Sequence, residues 1–331
     1  MKRVLPFIAV LFAISVSANE LSAPYENPNC YEQNREPMRS SFIVYPSANE
    51  AIAGSCYKKS PNYKSIEGEW SFVWYKHLTD AYPVDFFALN FDDSKWGKMV
   101  VPGLWELNGY GDPLYSNKGY AWDNVFVDCP PIVPQFNNHR GLYRRKIDVP
   151  AEWRGKHIFV HIGSATSNLA LWINGKRVGY SEDSKLQAEF DITKYVKAGQ
   201  SNLFAMEIHR WCDGSYLEDQ DFWRLSGIAR DCYIYARDKA HIKDVKFTST
   251  LENDYMDGVL DLKVDVTSGV KSINAQLVDV DGKVLFNQQI TPKNGVATVV
   301  KRLPAVHAWS AEMPYLYTLK ISTATESAAF N

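Results

Sequence analysis

Two short strand-like runs separated by Asn174-Gly175 constrain the fold more than any other feature of the sequence. Leu169-Ala170-Leu171-Trp172-Ile173 precedes this dipeptide, and Lys176-Arg177-Val178-Gly179-Tyr180 follows it. The tight turns of β-hairpins need positive φ at both central residues, which Asn and Gly accept more readily than other residues. We therefore predict an antiparallel hairpin over residues 169–180.

Further runs of the same kind surround this hairpin. Aromatic residues make up 14% of the chain, and aromatic and β-branched residues favour strands. No alternation of strand and helix is visible, which argues against a parallel sheet. These further strand-like runs are Glu69–Tyr75, Ile158–Ile162, Leu203–Ile208 and Cys232–Ala236. Together with the hairpin they predict an all-β antiparallel sandwich or jelly roll over residues 63–237.

A second β-rich region follows at residues 238–331. Val259–Val266 alternates apolar and polar residues from Leu260 onward, as expected of a strand with one buried face. Shorter strand-like runs lie at 273–280, 283–286, 296–300 and 317–321, a spacing typical of an immunoglobulin-like sandwich. Residues 322–331 show no convincing final strand. We therefore expect this sandwich to be incomplete, with an open sheet edge that invites aggregation.

The first 18 residues have the pattern of a secretory signal peptide. Lys2 and Arg3 precede the apolar stretch Val4–Val16, and Val16-Ser17-Ala18 offers small residues for cleavage. A membrane anchor is the alternative, but the apolar stretch is short for a span. We expect an exported protein, periplasmic or extracellular, without a membrane span after cleavage.

Residues 19–62 predict an extended arm. Prolines at positions 24, 28, 37, 46 and 61 break any regular period, and scattered aromatic residues argue against disorder. Such an arm is expected to lie against a folded body, either its own or that of a partner.

Charge and cysteine content narrow the chemistry. The formal net charge is −2 and no basic run is present, so the sequence gives no indication of nucleic-acid binding. The five cysteines form no zinc-type spacing, and their odd number leaves at least one unpaired within the chain. We expect mostly free, buried thiols, with a Cys30–Cys56 disulfide as the alternative.

Residues 210–231 concentrate polar and aromatic groups. The run contains five carboxylates, three arginines and four aromatic residues, interrupted by glycines. Carboxylates that accept hydroxyl protons, beside flat apolar rings, are typical of sugar sites. Acidic oxygens in a loop also suit hard cations. A loop closed on itself by Arg–Asp pairs remains the third interpretation.

Several motifs, in order along the chain, resemble the lactose-operon type β-galactosidases of glycoside hydrolase family 2. The motif at 213–221, Asp-Gly-Ser-Tyr-Leu-Glu-Asp-Gln-Asp, is the most specific of them. The resemblance also rests on 25–28 with 34–35, 101–105 with 109–110, 113–117, 172–175, 178–184, 223–228 and 309–317.

The resemblance implies retaining hydrolysis of terminal β-galactosides. The family performs this reaction with two glutamates about 5 Å apart, which it carries on a TIM barrel after the second sandwich. A barrel needs about 250 further residues, and none is recognisable here. We expect this chain alone to be inactive. The family's magnesium ligands are expected to lie in the missing barrel. The expected partners of this chain are that barrel or other subunits.

Two site residues follow from the resemblance. Asp213 corresponds to an aspartate that binds sodium and the galactose, and Asn117 to an asparagine that contacts the sugar from another loop. Glu218, Asp219 and Asp221 are expected to shape the loop by pairing with Arg224 or Arg230. Trp211 and Trp223 are expected to pack, and His161 and His209 to be structural.

Three functional hypotheses remain open. The chain is the amino-terminal part of an exported β-galactosidase, a stand-alone carbohydrate-binding module, or an assembly piece whose arm docks on another subunit.

Overall fold

The computed structural model describes residues 23–51, 53, 58–123 and 125–331. The predicted signal peptide and Cys56 therefore lie outside the described residues. The described chain is nearly all β, with only short 3₁₀ helices at Pro24–Glu26, Glu106–Asn108, Ala151–Trp153 and Asp213–Leu217. This confirms the predicted all-β fold class.

No helix in the described part of the chain has the length and apolar character needed to cross a bilayer.

The described residues of the first sandwich and its loops form sixteen strands. They are β1 (Glu32–Gln33), β2 (Tyr63–Ser65), β3 (Gly68–Tyr75), β4 (Gly97–Val101), β5 (Gly103–Leu104), β6 (Leu114–Ser116), β7 (Arg140–Asp148), β8 (His157–Ile162), β9 (Ala165–Thr166), β10 (Leu169–Ile173), β11 (Lys176–Ser181), β12 (Ala188–Asp191), β13 (Ser201–His209), β14 (Phe222–Arg224), β15 (Gly227–Ile228) and β16 (Cys232–Arg237).

Two sheets enclose the core of this jelly roll. A seven-stranded sheet has the order β1-β11-β10-β13-β7-β3-β4, and a four-stranded sheet has the order β12-β8-β16-β2. Every neighbouring pair is antiparallel. Inward side chains of both sheets form one apolar cluster, which includes Trp70, Phe72, Tyr143, Val160, Phe190, Phe204 and Ile234.

The hairpin at Asn174-Gly175 is confirmed. β10 and β11 pair across this turn, and Asn174 and Gly175 have φ of 51° and 79°. The Asn174 side chain donates to the carbonyl of Tyr195 at 2.9 Å, which fixes the turn against the neighbouring loop.

The second sandwich has seven strands in the described residues. A three-stranded sheet has the order β17-β18-β21 and a four-stranded sheet the order β20-β19-β22-β23. Their bounds are β17 (Ile242–Glu252), β18 (Asp257–Val266), β19 (Ile273–Val278), β20 (Val284–Ile290), β21 (Val296–Leu303), β22 (Thr318–Ser322) and β23 (Ser327–Phe330). This confirms the predicted immunoglobulin-like sandwich.

The prediction that residues 322–331 contain no final strand is wrong. Ser327–Phe330 forms β23, which pairs with β22 from Ser327↔Ser322 to Phe330↔Leu319. Ser-Ala-Ala-Phe has little intrinsic preference for a strand. Tertiary context overrides this preference, because Ala328 is completely buried in the core of the sandwich.

The described part of the arm lies against its own body. β1 extends the seven-stranded sheet by pairing with β11. Phe42 and Val44 join the core of the second sandwich, while Ile43, between them, packs with aromatic residues of the first. Tyr45 exchanges two backbone hydrogen bonds of 2.8 Å with Ser327, so the arm covers part of the edge of β23.

Four cysteines fall in the described residues, and all four are free thiols. Cys212 and Cys232 are completely buried, Cys30 is half-buried and Cys129 is exposed. The expectation of buried thiols therefore holds for Cys212 and Cys232.

Candidate functional site

A two-stranded ribbon brings the two loops with predicted site residues together. β6 leads into Asn117, and β14 follows the loop of Asp213. The strands are antiparallel, with Leu114 opposite Arg224 and Ser116 opposite Phe222. Asn117, one residue beyond β6, is therefore adjacent to the end of the Asp213 loop.

A cluster of mostly buried aromatic residues packs beneath both loops, on the side away from solvent. Trp122 donates its indole N–H to the carbonyl of Tyr216 at 3.0 Å, and the Tyr216 hydroxyl donates to the carbonyl of Ile132 at 2.7 Å. Trp211 is only 1% exposed in this cluster. Its predicted packing role is confirmed.

Arg224 holds the Asp213 loop in shape. Its guanidinium is completely buried and lies 2.7 Å from Asp219 Oδ2 and 3.1 Å from Glu218 Oε2. It also donates to Ser215 Oγ at 2.8 Å, within the 3₁₀ helix that begins at Asp213, and to the carbonyl of Arg210. The predicted pairing of the loop carboxylates with Arg224 is confirmed for Glu218 and Asp219.

Asp213 is the first residue of this 3₁₀ helix, and its carboxylate has a free acceptor. The N-cap residue is Cys212, whose N–H is bonded to Ser215 Oγ at 3.1 Å. Asp213 Oδ2 is buried, with no hydrogen-bond partner in the described part of the chain. Buried polar atoms of native proteins are nearly always satisfied, so this oxygen is available to a ligand.

Sequence reasoning missed Glu182, which lies beside Asp213. Glu182 is only 5% exposed and accepts a hydrogen bond from the Tyr180 hydroxyl. Burial, and next the hydrogen bond to Asp213, raise the pKa of Glu182 to about 9. At neutral pH the Glu182 carboxyl group is therefore protonated and uncharged. Position 182 lies inside a motif of the family resemblance, but burial could not be read from it.

Of the group formed by Glu182, Cys212 and Asp213, the two carboxyl groups suit a hard monovalent cation and the thiol does not. Their ligand atoms lie within 4.8 Å of one another. The carboxyl oxygens match the ligands that hard cations prefer. Burial raises the pKa of the Cys212 thiol, so its sulfur stays protonated and is a poor ligand for such an ion. The two carboxyl groups, including the free buried oxygen of Asp213, are thus the oxygen donors that this group offers.

The remaining predicted side chains lie nearer the surface. Asn117 is exposed, at a bend where Ser116 Oγ donates to the carbonyl of Lys118 at 3.0 Å. Trp223 was expected to pack, but it is 49% exposed, so only about half of its surface is covered. Side chains alternate along β14, and Arg224 takes the inward direction, which leaves Trp223 facing outward.

His161 and His209 make structural contacts, as predicted. His161 Nδ1 lies 2.9 Å from Glu189 Oε1, and its ring stacks on Tyr233 with centroids 4.3 Å apart. His209 Nε2 lies 2.9 Å from Glu207 Oε1. Both rings are 5% exposed.

The chain resembles curated β-galactosidases along most of its length. It is 35% identical to the β-galactosidase of Priestia megaterium over 323 residues, which are 94% of this chain and 31% of that protein. It is also 35% identical to the Halalkalibacterium halodurans β-galactosidase, over 88% of this chain and 28% of that protein. The β-galactosidase large subunit of Leuconostoc lactis is 31% identical, with 48% of its length covered. The chain thus spans about a third of the first two relatives.

Solved structures share the fold at low sequence identity. A β-glucuronidase from an uncultured Clostridium species superposes with a TM-score of 0.61 at 20% identity, over 88% of this chain and 46% of that one. Bacteroides uniformis β-glucuronidase superposes with a TM-score of 0.60 at 18% identity, over 81% of this chain and 31% of that one.

Two family models cover the two sandwiches. Residues 63–238 match the sugar binding domain of glycosyl hydrolases family 2, and residues 240–329 match a second model of the same family. The first match alone covers more than half of the chain. The chain therefore belongs to glycosyl hydrolase family 2.

Proposed function

We propose that this chain forms one wall of the sugar site of an exported β-galactosidase, which hydrolyses terminal β-D-galactosides in carbohydrate breakdown. Relatives named β-galactosidase and the match to a sugar-binding domain support the substrate class. The observation that carries the proposal is the buried, unpaired Oδ2 of Asp213 beside Glu182. A carboxylate with a free oxygen in a water-poor site is suited to accept hydroxyl protons of a sugar.

In this proposal Asp213 binds the galactose and is this chain's ligand to a sodium ion. Asn117 contacts the sugar from the neighbouring loop, since an amide both donates and accepts hydrogen bonds. Magnesium would be bound by the barrel, outside these residues. Export is supported by the signal-like pattern of residues 1–18.

The pair Glu182 and Asp213 does not supply the missing chemistry. Retaining glycosidases place a protonated acid and a carboxylate about 5 Å apart, with the glycosidic bond between them. Glu182 and Asp213 share a hydrogen bond instead, and Glu182 is almost completely buried. No sugar carbon fits between two hydrogen-bonded carboxyl groups. Hydrolysis therefore needs glutamates from another segment.

Saturation-transfer NMR of the full chain with methyl β-galactoside tests the proposal. Because one wall gives few simultaneous bonds, we expect weak binding, on the order of millimolar. The transfer to galactosyl protons should be stronger in sodium than in potassium, and the sugar should stay intact. Asp213→Asn should remove most of the transfer and its sodium dependence. Asp148→Asn, an exposed aspartate of the same sandwich, is the matched control.

Other outcomes contradict this assignment in distinct ways. Equal or stronger transfer to methyl β-glucuronide would exclude galactoside preference. Calorimetric affinity in the low micromolar range would favour the alternative, a stand-alone carbohydrate-binding module. Absence of transfer to every sugar tested would leave an assembly role. For that role the described arm already has a site on its own sandwiches.

A further inference from the structure

Two turns of the chain have the same sequence and the same backbone but different surroundings. Asn174-Gly175 joins β10 to β11, and Asn294-Gly295 lies between β20 and β21. Both residues of each turn have positive φ, 51° and 79° in the first turn and 50° and 78° in the second. Backbone hydrogen bonds of 2.8 and 3.0 Å between Lys293 and Val296 close the second turn. A difference in reactivity between the two asparagines therefore has to come from their surroundings.

The Asn174 side chain is held by three hydrogen bonds. Its amide nitrogen donates to the carbonyl of Tyr195 at 2.9 Å and to Asn202 Oδ1 at 2.8 Å. Its amide oxygen accepts the N–H of Leu203 at 2.9 Å. The residue is also half-buried. The amide carbon cannot turn towards the backbone nitrogen of Gly175 unless these bonds break.

The Asn294 side chain is exposed and unrestrained. It makes no hydrogen bond with any residue that the structure describes. The N–H of Gly295 likewise donates to none of the described residues. Because glycine has no side chain, its nitrogen is not shielded from a neighbouring group. The amide carbon of Asn294 is thus free to meet the nitrogen of the next residue.

We propose that Asn294 is a site of spontaneous covalent modification, in which its amide group is lost. The backbone nitrogen of Gly295 gives up its proton to a base in solvent and attacks Cγ of Asn294. The N–Cγ bond forms, the Cγ–Nδ2 bond breaks, and the leaving nitrogen takes a proton from water and departs as ammonia. Water then opens the cyclic imide. Opening at the main-chain carbonyl gives isoaspartate, and opening at Cγ gives aspartate, so no oxidant or reductant takes part.

The position of Asn294 gives this modification a structural consequence. The Gly295 carbonyl accepts the N–H of Val266 at 2.8 Å, and the N–H of Thr267 donates to the carbonyl of His241 at 2.9 Å. His241 directly precedes β17, so the turn is tied to the junction of the two sandwiches. Isoaspartate adds a carbon atom to the main chain before Gly295 and displaces its carbonyl. Aspartate adds the negative charge but keeps the length of the main chain.

Peptide mass mapping of the full chain, incubated in heavy-oxygen water at mildly alkaline pH, tests the proposal. Asn294 should convert first, and the product should contain heavy oxygen because its new oxygen comes from water. Asn174 should convert about ten- to a thousandfold more slowly, since three hydrogen bonds must open first. Asn108, the remaining Asn-Gly step of the sequence, should be intermediate, because its amide donates to the carbonyl of Leu104 at 2.7 Å.

The chain unfolded in guanidinium chloride is the control for intrinsic reactivity. All three Asn-Gly steps should convert at similar rates there, because the hydrogen bonds that distinguish them are lost. Similar rates at Asn174 and Asn294 in the folded chain would overturn the proposal. Conversion of Asn294 only after unfolding would overturn it as well.

Hydrogen exchange tests the structural consequence. The N–H of Val266 should exchange faster in the isoaspartyl fraction, separated by ion exchange, than in the untreated chain. The variant Asn294→Asp carries the same charge without the longer main chain, and its Val266 N–H should exchange as in the untreated chain. Equal exchange in the isoaspartyl fraction and in the variant would contradict a role for the main-chain length.

Discussion

His139 is a buried histidine whose pKa is strongly lowered in the folded chain. It is 5% exposed, its ring lies against Trp74 with centroids 4.7 Å apart, and its Nδ1 is 3.4 Å from Arg210. Burial, and next the positive charge of Arg210, lower the pKa of His139 to about 3. The folded chain therefore keeps this histidine neutral in mildly acidic solution.

This shift predicts a loss of stability in acid. Between about pH 6.5 and pH 3 the unfolded chain binds a proton at this position that the folded chain refuses, so the free energy of unfolding falls as pH falls. At about pH 5 the loss is roughly 1–2 kcal/mol relative to neutral pH. Urea unfolding at both pH values measures it. His139→Gln should flatten the dependence, whereas the exposed His307→Gln should not. An equal slope in all three proteins would contradict the assignment.

At the scale of elements, the last strand, β23, has a pairing partner on each side. β23 joins the four-stranded sheet through β22 on one side and meets Tyr45 of the arm on the other. The hydrogen bonds between Tyr45 and Ser327 give the outer edge of this strand a partner. A covered edge is protected from pairing with another chain, so we expect the arm to oppose aggregation through this strand.

Removing the Tyr45 N–H should weaken this edge. Tyr45→Pro leaves the Ser327 carbonyl without its donor, while Tyr45→Ala loses the same side-chain packing but keeps the N–H. We expect the proline variant to be less stable than the alanine variant by about 1–3 kcal/mol. Chemical denaturation measures the difference, and hydrogen exchange should be faster in β23 of the proline variant. Identical stability of the two variants would show that the bridge contributes nothing.

At the scale of the whole molecule, a buried ion pair joins the two sandwiches. Arg237, the last residue of β16, donates to both carboxylate oxygens of Glu326, at 2.7 and 3.0 Å. Glu326 Oε1 also accepts the N–H of Ile242, the first residue of β17, at 2.7 Å. Both side chains are at most 3% exposed. Because the arm also packs against both sandwiches, we expect this pair to couple their unfolding.

Breaking the pair should uncouple them. Glu326→Ala leaves a buried guanidinium without its partner, at an expected cost of about 3–5 kcal/mol. We expect calorimetry to resolve two transitions in this variant and one in the wild type. The double variant Arg237→Met with Glu326→Leu removes both charges and should regain part of the lost stability. If Glu326→Ala still unfolds in one transition with an unchanged midpoint, the pair is not the coupling element.

What the sequence could predict depended on local rules. The turn at Asn174-Gly175 was readable because Asn and Gly accept the positive φ that this turn needs more readily than most residues. The alternation of Val259–Val266 was readable because one face of β18 is buried and the other is exposed. Asp213 was predicted as a site residue from its motif, and the structure places it at the start of a 3₁₀ helix with a buried oxygen that has no hydrogen-bond partner among the described residues.

The sequence by itself determined the β-rich class, the turns and the loops that carry the candidate site, since these follow from backbone preferences and short-range patterns. Only the tertiary structure decided which carboxyl group meets Asp213, which ring faces solvent and whether Ser327–Phe330 is a strand. Glu182 and Asp213 are 31 residues apart, and Tyr115 and Trp223, opposite each other in the ribbon, are 108 apart. Burial and pairing at such separations are set by the packing of whole sheets, which no local pattern encodes.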